Sequence, residues 1–282
     1  MKPSQNYVSD DAFALAMSAY DGQLAAWPVP FTRRNVATEI GETFTLEFGS
    51  PGAPPLVLLH GSASNSASWG YDVAEFAASF HCFAVDLPGE TGRSTGVRPP
   101  YTGSAYPDWL SDVFDGLGLV RASICGLSLG GWVGLKFAAG HPERVEKLAL
   151  LAPGGVAPAR QSFVDQADAS LPLGEPGIRE LAAAIFAPQA PPPGVIEGFI
   201  FMQSIYQTRR DDLPLLTDSE LEAIKAPVFL IGGARDAMLD MQGTDERLGR
   251  LLQNFESELD PNAGHALIGR GTAVTRFFEG EG

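Results

Sequence analysis

Short, continuous apolar runs bounded by Gly, Pro or Asp recur along this sequence of 282 residues and alternate with longer segments of helical spacing. An uninterrupted run of four to six residues is typical of a parallel strand that is covered on both faces. Strands that alternate with helices therefore predict an α/β fold, with a mostly parallel central sheet and helices on both faces. The predicted strands are 56–60, 82–86, 122–125, 147–152, 228–232 and 255–259, and the predicted helices are 104–117, 129–139, 238–252 and 266–278.

Residues 156–221 interrupt this alternation. Ten of the chain's 22 prolines fall between Pro153 and Pro227, yet the segment carries large apolar clusters such as Phe199-Ile-Phe-Met202. Disordered linkers seldom carry so many large apolar residues. We therefore interpret residues 156–221 as a helical cap inserted over the sheet, and we call them the cap segment.

The remaining chain is divided into an extension and a core. Residues 1–40 are interpreted as an N-terminal extension, in which 10–27 has the spacing of an amphipathic helix that either packs on the body or mediates a dimer. The chain is thus expected to be a monomer or a homodimer. Residues 41–155 and 222–282 are predicted to form the core, and 44–48 alternates apolar and polar residues like a half-exposed edge strand.

Charge, hydropathy and cysteine usage limit the partners and the location. Nineteen Lys and Arg against 34 Asp and Glu leave a formal net charge of −15, which disfavours nucleic acid and anionic membranes as partners. The N-terminus lacks the layout of a signal peptide, and no run approaches the roughly 18 apolar residues of a membrane span. Cys82 and Cys125 lie in apolar runs, as buried free thiols do. A cytoplasmic protein without a metal site is predicted.

The pattern Gly-x-Ser-x-Gly occurs twice, so the pattern alone does not identify a nucleophile. A nucleophile elbow needs a strand, a sharp turn and a helix, because that arrangement lifts the serine oxygen above the sheet edge. Gly126-Leu-Ser-Leu-Gly130 lies between a predicted strand and a predicted helix, whereas Gly92-Arg-Ser-Thr-Gly96 runs into two prolines that prevent a helix. We therefore predict Ser128 as the nucleophile and Ser94 as a loop residue.

A serine nucleophile requires a base to take its proton and a carboxylate to orient that base. His265 occupies a Gly-rich loop between the last predicted strand and the last predicted helix, and it follows the nucleophile and the acid in chain order. Asp236 comes four residues after the strand 228–232, with Asp240 as a less favoured substitute. The predicted catalytic residues are Ser128, Asp236 and His265. The other histidines, at positions 60, 81 and 141, are interpreted as packing or turn residues.

From about Phe44 onward, the order and context of these residues resemble the α/β-hydrolase superfamily. Leu59-His-Gly61 followed by Trp69 resembles the family's oxyanion loop. The resemblance implies an α/β-hydrolase fold, with the backbone N–H groups of Ser62 and Leu129 as oxyanion-hole donors and with no metal or organic cofactor.

One loop departs from the family pattern of Asp-x-x-Gly-x-Gly-x-Ser. After Asp86-Leu-Pro-Gly89, the stretch Gly89-Glu-Thr-Gly92 carries one extra residue. This spacing, together with Trp27-Pro-Val-Pro30, is similar to a bacterial carboxylesterase-like branch of the superfamily.

The resemblance implies a serine hydrolase that cleaves a small neutral or apolar carboxylic ester through an acyl-enzyme at Ser128. Trp132, Phe199 and Met202 are candidates to line the substrate pocket, and packing between cap and body is the alternative role for each. A serine at the elbow excludes the dehalogenases and epoxide hydrolases that use aspartate there. A C–C bond hydrolase, a lactonase, a perhydrolase and a non-catalytic small-ligand receptor on the same fold remain open alternatives.

Overall fold

The computed structural model describes residues 3–280, so residues 1, 2, 281 and 282 of the predicted terminal segments lie outside it. Its strands form one eight-stranded sheet in the order β1-β2-β4-β3-β5-β6-β7-β8. The pairs β1–β2 and β2–β4 are antiparallel, and every other pair is parallel. The strands are β1 (Phe31–Thr38), β2 (Gly41–Gly49), β3 (Pro55–Leu59), β4 (His81–Val85), β5 (Ala122–Leu127), β6 (Val145–Leu151), β7 (Val228–Gly233) and β8 (Phe255–Asp260).

Helices cover both faces of this sheet, as predicted. Among residues 3–280, no helix is both long and apolar enough to cross a membrane. The α-helices are α1 (Asp10–Ala25), α2 (Val73–Ser79), α3 (Ala105–Leu117), α4 (Leu129–Gly140), α5 (Gln161–Ser170), α6 (Glu175–Phe186), α7 (Val195–Ile205), α8 (Asp218–Ala223), α9 (Met241–Leu251) and α10 (Gly271–Glu279).

The core consists of two apolar clusters, one on each face of the sheet. Helices α3, α4, α8 and α9 pack on one face, where Trp109, Trp132 and Phe114 are fully buried. Helices α1, α2 and α10 pack on the other, around Phe76 and Leu58. Strands β3, β5 and β7 are buried almost throughout, and their sequences are correspondingly apolar.

The segment 44–48 is not an edge strand, which corrects the prediction. It lies within β2, between β4 and β1, and the edge is formed by β1 from the predicted N-terminal extension. The sequence of β1 is mostly polar, and Val36 is its one buried residue, so periodicity gave no signal for it. Two polar residues of β2, Thr43 and Thr45, are buried, and the indole N–H of Trp109 donates to the hydroxyl of Thr43 at 2.8 Å.

The N-terminal segment packs on the body and on the cap segment. Residues on one side of α1, including Ala16 and Tyr20, are buried in the second cluster. Ahead of this helix, Tyr7 forms an antiparallel bridge with Tyr206 at the end of α7. The other side of the cap segment contacts the loop after β8, where the Ala266 N–H donates to the carbonyl of Ile185 at 3.3 Å. The cap segment is therefore attached at both the N-terminal and the C-terminal part of the chain.

Candidate active site

Ser128 lies in a sharp turn between β5 and α4. Its backbone φ of 51° and ψ of −108° are unusual for a residue that is not glycine. A Cβ atom at Gly126 would collide with the carbonyl oxygen of Gly130, and a Cβ atom at Gly130 would collide with that of Leu59. The two glycines thus allow the strand and the helix to approach closely enough for the turn to form.

We expect Gly130→Ala to lower the free energy of unfolding by about 2–4 kcal/mol, because the added Cβ meets backbone atoms that cannot move independently. The matched control is Gly22→Ala in α1, where a Cβ atom meets open space, and a gain of about 0.5–1 kcal/mol is expected. Urea unfolding of both variants measures the difference. An unfolding free energy for Gly130→Ala equal to that of the wild type would show that the turn does not need this close approach.

The structure brings Ser128, His265 and Asp236 together at the carboxyl edge of the sheet. The Nε2 atom of His265 lies 3.2 Å from the Ser128 hydroxyl oxygen, and its Nδ1 atom lies 2.8 Å from Oδ2 of Asp236. The histidine is 8% exposed and the aspartate 3%. With Nδ1–H donated to the carboxylate, Nε2 is the nitrogen that can accept the serine proton.

Asp236 is held by backbone groups of its own loop. Its Oδ1 accepts the N–H groups of Met238 at 2.7 Å and Leu239 at 2.9 Å, which leaves Oδ2 for His265. Asp240, the substitute considered from the sequence, instead pairs with Arg160 at 3.3 Å. These hydrogen bonds fix which carboxylate oxygen faces the imidazole.

The two predicted oxyanion donors have free N–H groups. Within the described chain, the N–H groups of Ser62 and Leu129 donate to no protein acceptor. The loop that carries Ser62 lies against the elbow, since a Cβ atom at Gly61 would be 3.6 Å from Cβ of Ser128. A free N–H at the start of α4 also lies at the positive end of the helix dipole. Two backbone N–H groups without a protein acceptor therefore lie in the two segments that meet at the elbow.

Residues 56–276 match the alpha/beta hydrolase family. The chain belongs to this family. Carboxylesterase YbfK from Bacillus subtilis (strain 168) is 32% identical over 257 residues, which cover 88% of this chain and 86% of that protein. The crystal structure of carboxylesterase CesB (YbfK) from Bacillus subtilis has a TM-score of 0.87 and 28% identity, and covers 96% of this chain and 99% of that chain. The crystal structure of naproxen esterase (carboxylesterase NP) from the same organism has a TM-score of 0.83 and 29% identity. This match covers 93% of this chain and 96% of that chain. The predicted family and fold are confirmed.

Sequence reasoning missed Arg160, which supports the acid loop of this alpha/beta hydrolase. Its Nε–H donates to the backbone carbonyls of Asp236 at 2.9 Å and Leu239 at 3.2 Å. The neighbouring Ala159 forms a bridge with Leu239. No pattern around Arg160 points to this contact, because its partners lie about 80 residues further along the chain.

Ser94, the serine of the second Gly-x-Ser-x-Gly sequence, is hydrogen-bonded to the backbone of two segments. Its hydroxyl donates to the backbone carbonyl of Asp86 at 2.7 Å and accepts the N–H of Phe44 at 2.9 Å. The carboxylate of Asp86 is fully buried and accepts from Tyr20 and Ser66. This network joins β2, α1 and the loop after β4 into one support beneath the oxyanion loop.

His60, which follows β3, is completely buried and fully hydrogen-bonded. Its Nε2 accepts the N–H of Leu87 at 2.9 Å, so Nδ1 carries the proton and donates to the carbonyl of Gly61 at 2.8 Å. Burial lowers the pKa of His60, which keeps the ring neutral. The packing role predicted for this histidine agrees with these contacts.

The three predicted pocket residues are in different environments. Trp132 is 1% exposed, and its indole N–H donates to the Pro214 carbonyl at 3.0 Å, so it packs in the core under the cap segment. Phe199 stacks edge-on against Phe186 within the cap segment. Met202 is half-buried and packs against the second apolar cluster. A role of Phe199 and Met202 in substrate binding stays a prediction.

Asp72 caps the helix that follows the histidine loop. Its Oδ1 accepts the Gly271 N–H at the start of α10 at 2.6 Å. Burial raises the pKa of Asp72 from its usual value of 3.8 to about 6, although the hydrogen bonds from α10 oppose that shift. The folded protein therefore binds a proton at Asp72 more tightly than the unfolded chain does.

This raised pKa predicts a gain in stability when the pH falls. Well below pH 3.8 the Asp72 carboxyl is protonated in both the folded and the unfolded protein. As the pH rises from 3.8 toward 6, the carboxyl ionises first in the unfolded chain, and the free energy of unfolding therefore decreases. Between pH 7 and pH 5, we expect the unfolding free energy of the wild type, relative to Asp72→Asn, to increase by about 1 kcal/mol. Denaturant unfolding at both pH values measures this difference. A constant difference would mean that Asp72 stays ionised in the folded protein down to pH 5.

Proposed function

We propose that this protein is a serine carboxylesterase that cleaves small neutral or apolar esters. The observation that carries the proposal is the continuous hydrogen-bonded chain from the Ser128 hydroxyl through His265 to Asp236. Two further observations support it: the free N–H groups of Ser62 and Leu129 beside the serine, and the similarity to two carboxylesterases over most of the chain.

The reaction begins when His265 Nε2 takes the Ser128 proton as the serine oxygen attacks the ester carbonyl carbon. The carbonyl π electrons move to oxygen, and the N–H groups of Ser62 and Leu129 stabilise this oxyanion. When the tetrahedral intermediate collapses, the alkoxide leaves with the proton from His265, and an acyl ester of Ser128 remains. His265 Nε2 then takes a proton from water as the water oxygen attacks the acyl carbon. When this second tetrahedral intermediate collapses, the proton passes from His265 to the Ser128 oxygen and the carboxylic acid leaves. Asp236 holds the ring and stabilises the imidazolium in both steps.

The apolar surroundings of the triad support the proposed substrate class. Leu127, next to the nucleophile, and Leu239, whose N–H binds the acid, are partly buried against the second apolar cluster, so an acyl or alcohol group placed against them loses contact with water. The protein's net charge of −15 also disfavours strongly anionic esters.

Turnover of p-nitrophenyl acetate, butyrate and octanoate, combined with mass-spectrometric mapping of a fluorophosphonate adduct, tests the proposal. We expect release of p-nitrophenol above the buffer rate and one labelled peptide containing Ser128, while the peptide containing Ser94 stays unlabelled. No turnover and no label on Ser128 would contradict an esterase and leave a ligand-binding protein. A lactone, a 1,5-diketone and acetate with hydrogen peroxide are assayed in parallel. A kcat/KM for one of them far above the ester values would assign the corresponding lactonase, C–C hydrolase or perhydrolase activity instead.

A further inference from the structure

The loop after β4, in which Gly89-Glu-Thr-Gly92 is one residue longer than the family pattern, holds a buried carboxylate. Glu90 is 5% exposed and lies at the carboxyl edge of the sheet, next to the strand that leads into the oxyanion loop. Gly89 before it has a left-handed φ of 74°, and a Cβ atom there would collide with Arg98. The loop therefore turns sharply at Gly89 and directs the next side chain into the protein.

The Glu90 carboxylate binds the oxyanion loop directly. Its Oε2 accepts the backbone N–H of Ala63 at 2.6 Å. Ala63 has a left-handed φ of 52°, a conformation that costs free energy for any residue with a side chain. A charge-assisted hydrogen bond to its N–H stabilises the loop in this conformation.

This contact fixes Ser62 from one side, and the elbow fixes it from the other. Gly61, just before Ser62, lies against Ser128, and Ala63, just after it, is bound to Glu90. The peptide plane that carries the Ser62 N–H therefore lies between two anchored residues. Without Glu90, only the Gly61 side would be held.

Aromatic and cationic groups surround Glu90. The Tyr206 hydroxyl lies 3.4 Å from Oε2 and donates to the Gly89 carbonyl at 2.6 Å. Burial raises the pKa of Glu90, and the Ala63 hydrogen bond, Arg98, Tyr206 and Arg209 act in the opposite direction. The negative charge of Glu90 in turn contributes to the raised pKa of Tyr7, Tyr101, Tyr106 and Tyr206, after burial as the larger cause.

We propose that Glu90 is a positioning residue of the oxyanion hole, which acts by holding the Ala63 N–H so that the Ser62 N–H faces the developing oxyanion. This inference rests on the proposed esterase function. The competing explanation is that Glu90 only attaches the cap segment through Tyr206, in which case its loss changes stability and substrate entry but leaves the stabilisation of the tetrahedral intermediate intact.

Three substitutions separate these explanations. Glu90→Ala removes the acceptor, and we expect kcat for p-nitrophenyl butyrate to fall about 10- to 100-fold with KM changed less than about threefold. Glu90→Gln keeps an oxygen for the Ala63 N–H and should retain kcat within about threefold. Tyr206→Phe removes the hydroxyl contact but leaves the Ala63 contact, and should also retain kcat within about threefold. Glu90→Met fills the side-chain space without a carboxylate and replaces Glu90→Ala if that variant does not fold.

The decisive measurement is the affinity of an alkyl trifluoromethyl ketone. The Ser128 oxygen adds to the carbonyl carbon of this inhibitor and forms a tetrahedral adduct with a negatively charged oxygen. In Glu90→Ala its Ki should rise by the same factor by which kcat/KM falls, whereas the Ki of the parent methyl ketone should stay constant. Unchanged trifluoromethyl ketone affinity, or an equal kcat loss in Tyr206→Phe, would overturn the positioning role. If the wild-type protein neither hydrolyses esters nor is labelled at Ser128, the proposed function itself is overturned. If the wild type is active and Glu90→Ala is equally active, only the positioning role of Glu90 is overturned.

Discussion

Replacing Ser128 by alanine should lower kcat/KM for p-nitrophenyl butyrate by about 10,000- to 1,000,000-fold, because no other group can form the acyl-enzyme. Binding and the oxyanion donors remain, so a residual rate above that of buffer is expected. Initial-rate kinetics on protein freshly purified from an expression host without background esterase measures the loss. The fluorophosphonate adduct should disappear in the same variant.

The matched control for this prediction is Ser94→Ala, since both serines lie in a Gly-x-Ser-x-Gly sequence. Loss of the Ser94 hydroxyl leaves the Asp86 carbonyl and the Phe44 N–H without their buried partner, which should lower the unfolding free energy by about 1–3 kcal/mol. At a temperature where this variant is folded, kcat should stay within about threefold of the wild type. Full activity in Ser128→Ala would require a different nucleophile.

Asp236→Asn is expected to lower kcat by about 10,000-fold without unfolding the protein. The N–H groups of Met238 and Leu239 hold Oδ1, so the new amide NH2 group takes the place of Oδ2 and donates to His265 Nδ1. The ring is then forced into the tautomer with its proton on Nε2, which cannot accept the proton of Ser128. The dependence of kcat on pH, followed with p-nitrophenyl butyrate, measures the loss and any recovery at high pH.

Asp240→Asn is the control, because Asp240 lies four residues on and pairs with Arg160 at the surface. An exposed ion pair of this kind contributes little, so kcat within about threefold of the wild type is expected. A large loss in Asp240→Asn together with a small one in Asp236→Asn would transfer the acid role to Asp240.

Much of the fold was predictable because its strands are locally distinct. The runs in β3, β5, β6 and β7 are continuously apolar and bounded by turn residues, which reflects burial on both faces. The elbow was predictable for a similar reason: a strand, two glycines around a serine and a helix are all adjacent in sequence. Where an element is specified by residues that are adjacent in the chain, the hydropathy and turn pattern was sufficient to predict it.

The predicted starts of two helices were wrong, and the reason lies in the site. Helix α9 begins at Met241 instead of 238, because the N–H groups of Met238 and Leu239 bind the Asp236 carboxylate. Helix α10 begins at Gly271 instead of 266, because Leu267 is buried in the second cluster and Gly269 has a left-handed φ of 71°. Apolar spacing continues through both loops, so periodicity cannot detect these boundaries.

The amino-acid sequence alone determined the parallel sheet, the elbow and the chain order of Ser128, Asp236 and His265, because each follows from residues that are neighbours in the chain. The tertiary structure decided that β1 forms the sheet edge, that Trp132 is buried, and that Arg160, Asp72 and Glu90 support the loops of the site. These depend on hydrogen bonds and packing between segments tens to hundreds of residues apart. Such contacts leave no periodic signal in the sequence, because they are specified only when the sheet brings the loops to one edge.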